Sequence, residues 1–338
     1  MLNYLKVSNL LDVVPILSNL LVGSYALAIG NILDPTKIVL MANYKPLYIG
    51  YNIKYDFYAF ATDAKYFMGQ CENNLYSLEN WSIRKLKPYY SCVLTNYGVF
   101  FEKPLLNEKS LQEKHAIVVC SGGLDSTVAA KWALDHYKKI TLVHFLYNCR
   151  AQEKEQKAIG QLAQKWKCDV QFIPVNLWKD IAKGSRLTDL NAEFAKGDEG
   201  VELAKEWVYA RNLVFLSMAT AYCESINYDD IVLGNNLEEE NAYSDNCQEF
   251  IKKFNELLPN ATNLNKQIKI VEPVGNLMKH EIVKLGLKIN APLDLTWSCY
   301  EQGEKPCNTC GPDTMKRIAF EMNGYALSED HLSWKKIN

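Results

Sequence analysis

The rhythm of apolar and polar positions changes near residue 110. Before it, short apolar runs at 24–29, 37–41, 47–51 and 56–60 are separated by the turn residues Asp34-Pro35, Asn43, Pro46 and Asn52. Runs of that length between such breakers read as strands. Residues 8–20 carry a helical pattern interrupted by Pro15. Residues 1–110 are therefore expected to form a smaller β-rich α+β domain, with 105–110 as a polar linker. After the linker, strands and helices alternate. Runs at 116–120, 140–147, 170–174 and 230–234 read as buried strands. Between them lie helical stretches: 128–138, with Val128, Trp132 and Ala133 at helical spacing; a face of Ile159, Leu162, Ala163 and Trp166; and 211–225. This alternation predicts an α/β domain over 111–338 built on a doubly wound parallel sheet. In such sheets ligands sit at the carboxyl ends of the strands. Residues 121–127, 147–150 and the stretch from Gly234 onward fall there.

The first of these stretches reads Ser121-Gly122-Gly123-Leu124-Asp125-Ser126-Thr127. Two glycines let the backbone approach a ligand and turn its N–H groups inward, and the helix that follows favours negative charge at its N-terminus. Ser121, Ser126 and Thr127 add hydroxyl donors. No Gly-Lys-Ser/Thr follows, which excludes the P-loop of kinases and GTPases. The plain alternative is a Gly-Gly turn before a helix. The heptapeptide resembles the phosphate loop (PP-loop) of the ATP pyrophosphatases. The resemblance implies a loop that holds the β- and γ-phosphates of ATP while a substrate oxygen attacks the α-phosphate. An adenylate and pyrophosphate result, and a nitrogen or sulfur nucleophile then displaces AMP. Asp125 would hold Mg²⁺ or orient the loop.

Composition narrows the picture without redirecting it. A chain of 338 residues suggests two domains, and 48% hydrophobic with 22% charged residues gives a globular chain with a real core. A formal charge of −2 leaves no global footprint for nucleic acid or anionic membrane. No apolar run approaches ~18 residues, so no membrane span is expected. Residues 1–6 lack the features of a signal peptide, and ten scattered cysteines suit a reducing compartment, which points to the cytoplasm.

Three of those cysteines have a pattern. Cys307 and Cys310 are spaced as a metal knuckle, Cys299 lies eight positions earlier, and Asp313 stands where a further cysteine would continue the spacing. Three thiolates and one carboxylate make a tetrahedral zinc set, although the carboxylate is the harder ligand. Three free thiols near a turn are the alternative.

The phosphate loop, Val208-Tyr209-Ala210-Arg211-Asn212, Tyr243-Ser244-Asp245-Asn246 and Thr296-Trp297-Ser298-Cys299-Tyr300 occur in the order seen in the 7-cyano-7-deazaguanine synthase family, which the chain resembles over roughly 114–325. The resemblance implies conversion of 7-carboxy-7-deazaguanine, ATP and ammonia into a nitrile through an adenylate, an amide and a second adenylate. It also implies a structural zinc on four cysteines and a homodimer. Carried over by position, the catalytic residues are Ser121, Asp125, Ser126 and Arg150. Nucleotide contacts fall to residues 121–127 (Gly122, Gly123 and Leu124 among them), Arg211, Gly234 and Lys279. Substrate contacts fall to Tyr147, Arg150, Arg211, Asn212, Glu239, Tyr243 and Asp245. Tyr243 would stack on a purine-like ring, and Asp245 would accept from its amine and ring N–H. A polar pair at a helix start, a surface turn and an exposed lysine are the bland readings of Arg211-Asn212, Tyr243–Asp245 and Lys279.

The chain departs from the family at several points. Asn148-Cys149 and Ala151 replace Gly-Gln and His around Arg150, Tyr209 replaces a proline, Glu239 replaces an aspartate, and Asp313 replaces the fourth cysteine. In the first domain, Gly23–Ala28, Lys45–Tyr48 and Phe60–Ala64 resemble the second half of a class II glutaminase, whose nucleophile is an N-terminal cysteine; no cysteine precedes Cys71 here. The expectation is thus an ATP-dependent C–N ligase using ATP, Mg²⁺ and Zn²⁺ on a deazaguanine carboxylate. Two alternatives stand beside it. One is a specialised relative with a protein or nucleic-acid acceptor, in a phage or antiphage-defence setting; the other is an asparagine-synthetase-like amidotransferase.

Overall fold

The computed structural model describes residues 10–21, 23–32, 34–43, 45–67, 80–105, 111–189, 207–240, 243–262 and 268–337, without the side chains of 239 and 240. The chain divides into two compact units, Met1–Lys109 with Leu257–Gln267, and Ser110–Glu256 with Ile268–Asn338. Cys71 and most of the expected linker lie outside the described residues.

The first unit holds helix α1 (Val13–Leu20) and strands β1 (Tyr25–Asn31), β2 (Asp34–Asn43), β3 (Tyr48–Asn52), β4 (Phe57–Ala61), β5 (Trp81–Lys85), β6 (Tyr90–Thr95) and β7 (Gly98–Pro104). They pair antiparallel in two sheets, ordered β1-β2-β6-β7 and β4-β3-β5. Strand side chains alternate between faces, and β2 uses both. Val39 and Met41 join Val14 and Val93 in one core, whereas Leu40 and Ala42 join Leu47, Ile49, Cys92 and Leu94 in another. A strand buried on both faces loses the polar alternation, which explains the unbroken Ile-Val-Leu-Met-Ala run. Pro15 does not interrupt α1. It stands in the first turn, where no backbone donor is needed.

The second unit is built on strands β8 (His115–Val119), β9 (Lys139–Leu146), β10 (Asp169–Pro174), β11 (Asp230–Val232) and β12 (Lys269–Val271). All pair parallel in the order β10-β9-β8-β11-β12. This is the doubly wound sheet that the alternating pattern predicts. The connecting helices are α2 (Leu124–His136), α3 (Gln152–Trp166), α4 (Leu177–Asp180), α5 (Arg211–Ser225), α6 (Leu237–Glu240), α7 (Gln248–Ala261, counted with the first unit from Leu257 on), α8 (Lys279–Lys288) and α9 (Gly311–Glu321). A short hairpin, β13 (Tyr325–Leu327) with β14 (Trp334–Lys336), follows them.

The chain winds one way from β8 through β10 and the other way through β11 and β12. The order therefore reverses between β8 and β11, the switch point of such a sheet. Helix α2 begins there, four residues before the helical pattern in the sequence becomes visible. Its buried residues include Ala129, Ala130 and Ala133, small enough for close packing on the sheet. Gly286 of α8 gives it further room, since a Cβ there would meet Val128 Cγ2 at 2.9 Å. Among the described residues no helix is long and apolar enough to cross a membrane.

Candidate active site

The loop after β8 opens on a cavity of about 280 Å³ at the switch point. Gly122 has φ +77°, the left-handed region that glycine tolerates. A side chain there would also meet Ala158 Cβ at 3.0 Å and the Glu155 carbonyl at 3.2 Å, so α3 presses on the loop from behind. Ser126 Oγ ties the loop together. It accepts from the Ser121 N–H at 3.2 Å, lies 3.1 Å from Ser121 Oγ and donates to the Gly123 carbonyl at 3.3 Å. Gly123 caps α2 with extended backbone, which aims the N-terminal end of the helix at the cavity. Gly234, just past β11, comes so close that a Cβ would lie 2.5 Å from Ser126 Cα.

Of the residues singled out in the sequence, Ser121, Gly123, Leu124, Asp125, Ser126, Tyr147, Arg150, Arg211, Asn212, Gly234, Asp245 and Lys279 line this cavity. Gly122 shapes the loop without lining it. Thr127 is fully buried and not part of the wall, and its hydroxyl has no hydrogen-bond partner among the described residues. Tyr243 is not part of the wall either; its ring is stacked on Trp207 at 5.9 Å. Glu239 lies in α6, with its side chain outside the described residues.

The charges are arranged in pairs. Asp125 accepts from Lys279 Nζ at 2.5 Å and from Asn236 Nδ2 at 3.2 Å. That geometry suits a carboxylate that fixes the loop. Arg150 makes a two-pronged pair with Glu301, at 2.9 and 3.1 Å. Asp245 accepts from the Asn212 N–H at 3.0 Å, and Asn212 Nδ2 donates back to the Asp245 carbonyl at 3.0 Å. Burial raises the Asp245 carboxyl above its ordinary value.

Three wall residues escape the motif-based reading. Glu155, in the first turn of α3, is pushed up to about 7 by burial. His144 on β9 is held down at about 4 by burial. Lys316 on α9, lowered to about 8 by burial, donates to Thr296 Oγ1 at 2.8 Å. A signal for two of them exists in the sequence. Glu155 stands four before Ile159, and Lys316 three and four before Ala319 and Phe320, so both occupy apolar faces of their helices.

The expected zinc ligands do come together. The Sγ atoms of Cys299, Cys307 and Cys310 and a carboxylate oxygen of Asp313 lie within 4.8 Å of one another. Zinc–sulfur bonds of about 2.3 Å place tetrahedral donors roughly 3.5–4 Å apart. Cys310 and Cys299 are 3.9 Å apart, and Cys307 Sγ is 3.5 Å from Asp313 Oδ2. Asp313 is 1% exposed, and its Oδ1 has no hydrogen-bond partner among the described residues. A buried carboxylate beside three thiols fits a cation, and these four residues fit zinc.

The family model "Queuosine biosynthesis protein QueC" matches residues 115–324. A 7-cyano-7-deazaguanine synthase of Saccharolobus solfataricus is 42% identical over 304 residues, 89% of this chain and 64% of that protein. The match is too long to leave out the first unit. The chain thus spans under two thirds of that relative's length. A 7-cyano-7-deazaguanine synthase of Methanothrix thermoacetophila is 41% identical over 212 residues, 61% of this chain and 93% of that protein. Among solved structures, an NMN synthetase from Francisella tularensis overlaps 65% of this chain and 81% of its own at 18% identity, with a TM-score of 0.36. With the family model matched across the whole α/β sheet and 41% identity across nearly all of a curated relative, the chain belongs to the QueC family.

Proposed function

We propose that the cavity uses ATP to activate the carboxylate of 7-carboxy-7-deazaguanine and passes the acyl group to a nitrogen nucleophile. With ammonia the product is the amide and then the nitrile. The observation that carries this reading is the Ser121–Thr127 loop set at the switch point, its helix N-terminus opening on a cavity that holds both cations and acceptors.

In this reading the loop N–H groups and the hydroxyls of Ser121 and Ser126 hold the phosphates. Lys279 offsets their charge, and a Mg²⁺ carried in with the nucleotide would add to that neutralisation. A substrate carboxylate oxygen attacks the α-phosphate and pyrophosphate leaves. The nitrogen nucleophile attacks the acyl carbon, and the C–O bond to AMP breaks. Asp245 offers an acceptor to the heterocycle, while Tyr147, Arg211 and Asn212 shape its pocket. Positioning and preset charge do most of the work. Zinc held by Cys299, Cys307, Cys310 and Asp313 would cross-link the segment that carries Trp297, Ser298 and Tyr300 into the wall. The resemblance also favours a homodimer, and a partial glutaminase scaffold for the first unit.

A second reading keeps the activation and changes the acceptor to a protein or nucleic-acid amine. Cys149 and Ala151, where the chain departs from its family, both line the cavity and favour it. A pyrophosphate-release assay separates the possibilities. Release is expected with 7-carboxy-7-deazaguanine and not with aspartate. Nitrile with ammonium supports the first reading, and an adenylate that does not turn over supports the second.

A further inference from the structure

Each joining of nitrogen to the activated carbon releases a proton, and none of the residues assigned above takes it. We propose that Glu155 is the base that accepts this proton, with the neutral His144 behind it accepting from the acid that forms. The proposal rests on the adenylation reading given above.

Glu155 lines the cavity from the first turn of α3, its side chain 17% exposed. Groups from several elements face it. The Cys149 thiol donates to Oε2 at 3.6 Å. His144 Nε2, from β9, lies 3.7 Å from the same oxygen. Tyr147, Cys120 and Arg211 at the start of α5 complete the titratable and charged surroundings.

The histidine tautomer follows from its other nitrogen. His144 Nδ1 is 3.0 Å from the Cys120 carbonyl, which is acceptor-only, so Nδ1 carries the hydrogen. Nε2 of the neutral ring is then a lone pair. It is buried, and among the described residues it has no hydrogen-bond partner. A lone pair repels a carboxylate and accepts from a carboxylic acid. The pair is therefore built to hold one proton, and it sits against the back of the phosphate loop, at Cys120 and Gly122. The upward shift of Glu155 to about 7 populates both its forms at neutral pH, the condition in which acid–base transfer works best.

The chemistry balances without a further reagent. In amide formation the ammonia lone pair attacks the acyl carbon. The C–O bond to AMP breaks with its electron pair, and one N–H proton passes to Glu155. In nitrile formation the amide oxygen displaces pyrophosphate from a second ATP. Once Glu155 has released its proton to solvent, one N–H proton passes to it at that stage; the second goes to solvent as the C–O bond to AMP breaks with its electron pair and the C≡N bond closes. Nothing is oxidised or reduced.

The test compares wild type with Glu155→Gln at two separate steps. One is substrate-dependent ATP–pyrophosphate exchange; the other is single-turnover amide formation at fixed free ammonia. Exchange is expected to stay within about twofold while transfer falls roughly 100-fold or more. The wild-type transfer rate should rise with pH along a limb near pH 7 that Glu155→Gln lacks and Glu155→Asp restores in part. His144→Gln should keep exchange and move that limb by about half a unit or more. Equal losses in exchange and transfer would make Glu155 a structural residue, and unchanged transfer would remove it from the reaction; either overturns the proposal. Wild type without exchange would overturn the adenylation reading itself, and would be seen before any substitution is made.

Discussion

One methyl group at Gly234 would break the packing of the β11 end on the phosphate loop. A Cβ there would lie 2.5 Å from Ser126 Cα, 2.6 Å from Ser126 N and 2.9 Å from the Asp125 carbonyl carbon. All three are backbone atoms, and ordinary contact begins at 3.4 Å. One element must therefore retreat by about 1 Å in Gly234→Ala, and α2 is fixed by its buried alanines and by Gly286. Overpacking of this kind costs about 1–3 kcal/mol, which for a unit of this size lowers Tm by ~2–4 °C per kcal/mol. The catalytic effect should be larger, because a 1 Å misplacement of positioned groups costs on the order of 100-fold. Exchange should fall at least tenfold in a protein that still melts cooperatively. Gly160→Ala is the control: that position is exposed in mid-helix with nothing within 4 Å, so it should gain ~0.5–1 kcal/mol and keep full exchange. A Gly234→Ala protein with wild-type melting and exchange would refute the contact between the β11 end and the phosphate loop.

Other expectations follow from the charges. Lys279→Met takes the cation from the half-buried Asp125, which keeps its bond from Asn236, and should cost ~1–3 kcal/mol, whereas Lys279→Met with Asp125→Asn should be less destabilised than the single variant in denaturant titrations. Asp313→Ala should lower retained zinc well below the wild-type content after dialysis against a chelator, and Asp313→Cys should keep it, as read by metal analysis and by the charge-transfer bands of the cobalt form. For Glu155 the folded carboxyl, near 7, keeps a proton that the unfolded chain releases near 4.5. Its stabilisation is full below 4.5 and lost as pH rises through 7. Wild type should therefore gain about 3 kcal/mol on Glu155→Gln between pH 7.5 and 4.5, provided both melt reversibly. His144, held near 4, works the other way, losing stability as pH falls from 6.5 to 4.

Much of the second unit was legible because its signals are local. Strand, Gly-Gly turn and helix start are contiguous at Ser121–Thr127, and the knuckle spacing brings Cys299, Cys307, Cys310 and Asp313 together. The first four strands of each unit could be placed from apolar runs. The fifth strand of the parallel sheet, β12, is only three residues long, too short for a period to show. Strands β5 and β7 show no clear apolar run for another reason: they place polar and aromatic side chains outward on antiparallel sheets. In the site, the sequence could not show that Glu155, His144 and Lys316 face one cavity, because they come from three elements brought together only by the sheet order. Nor could it show that Tyr243 stacks on Trp207, or that Thr127 turns into the core.

The most direct measurement is ATP–pyrophosphate exchange with 7-carboxy-7-deazaguanine, followed by mass-spectrometric identification of the product with ammonium. Exchange should depend on that carboxylate, and ammonium should give the amide or nitrile with release of AMP. Exchange that is absent, or that answers to aspartate instead, would contradict the adenylation reading.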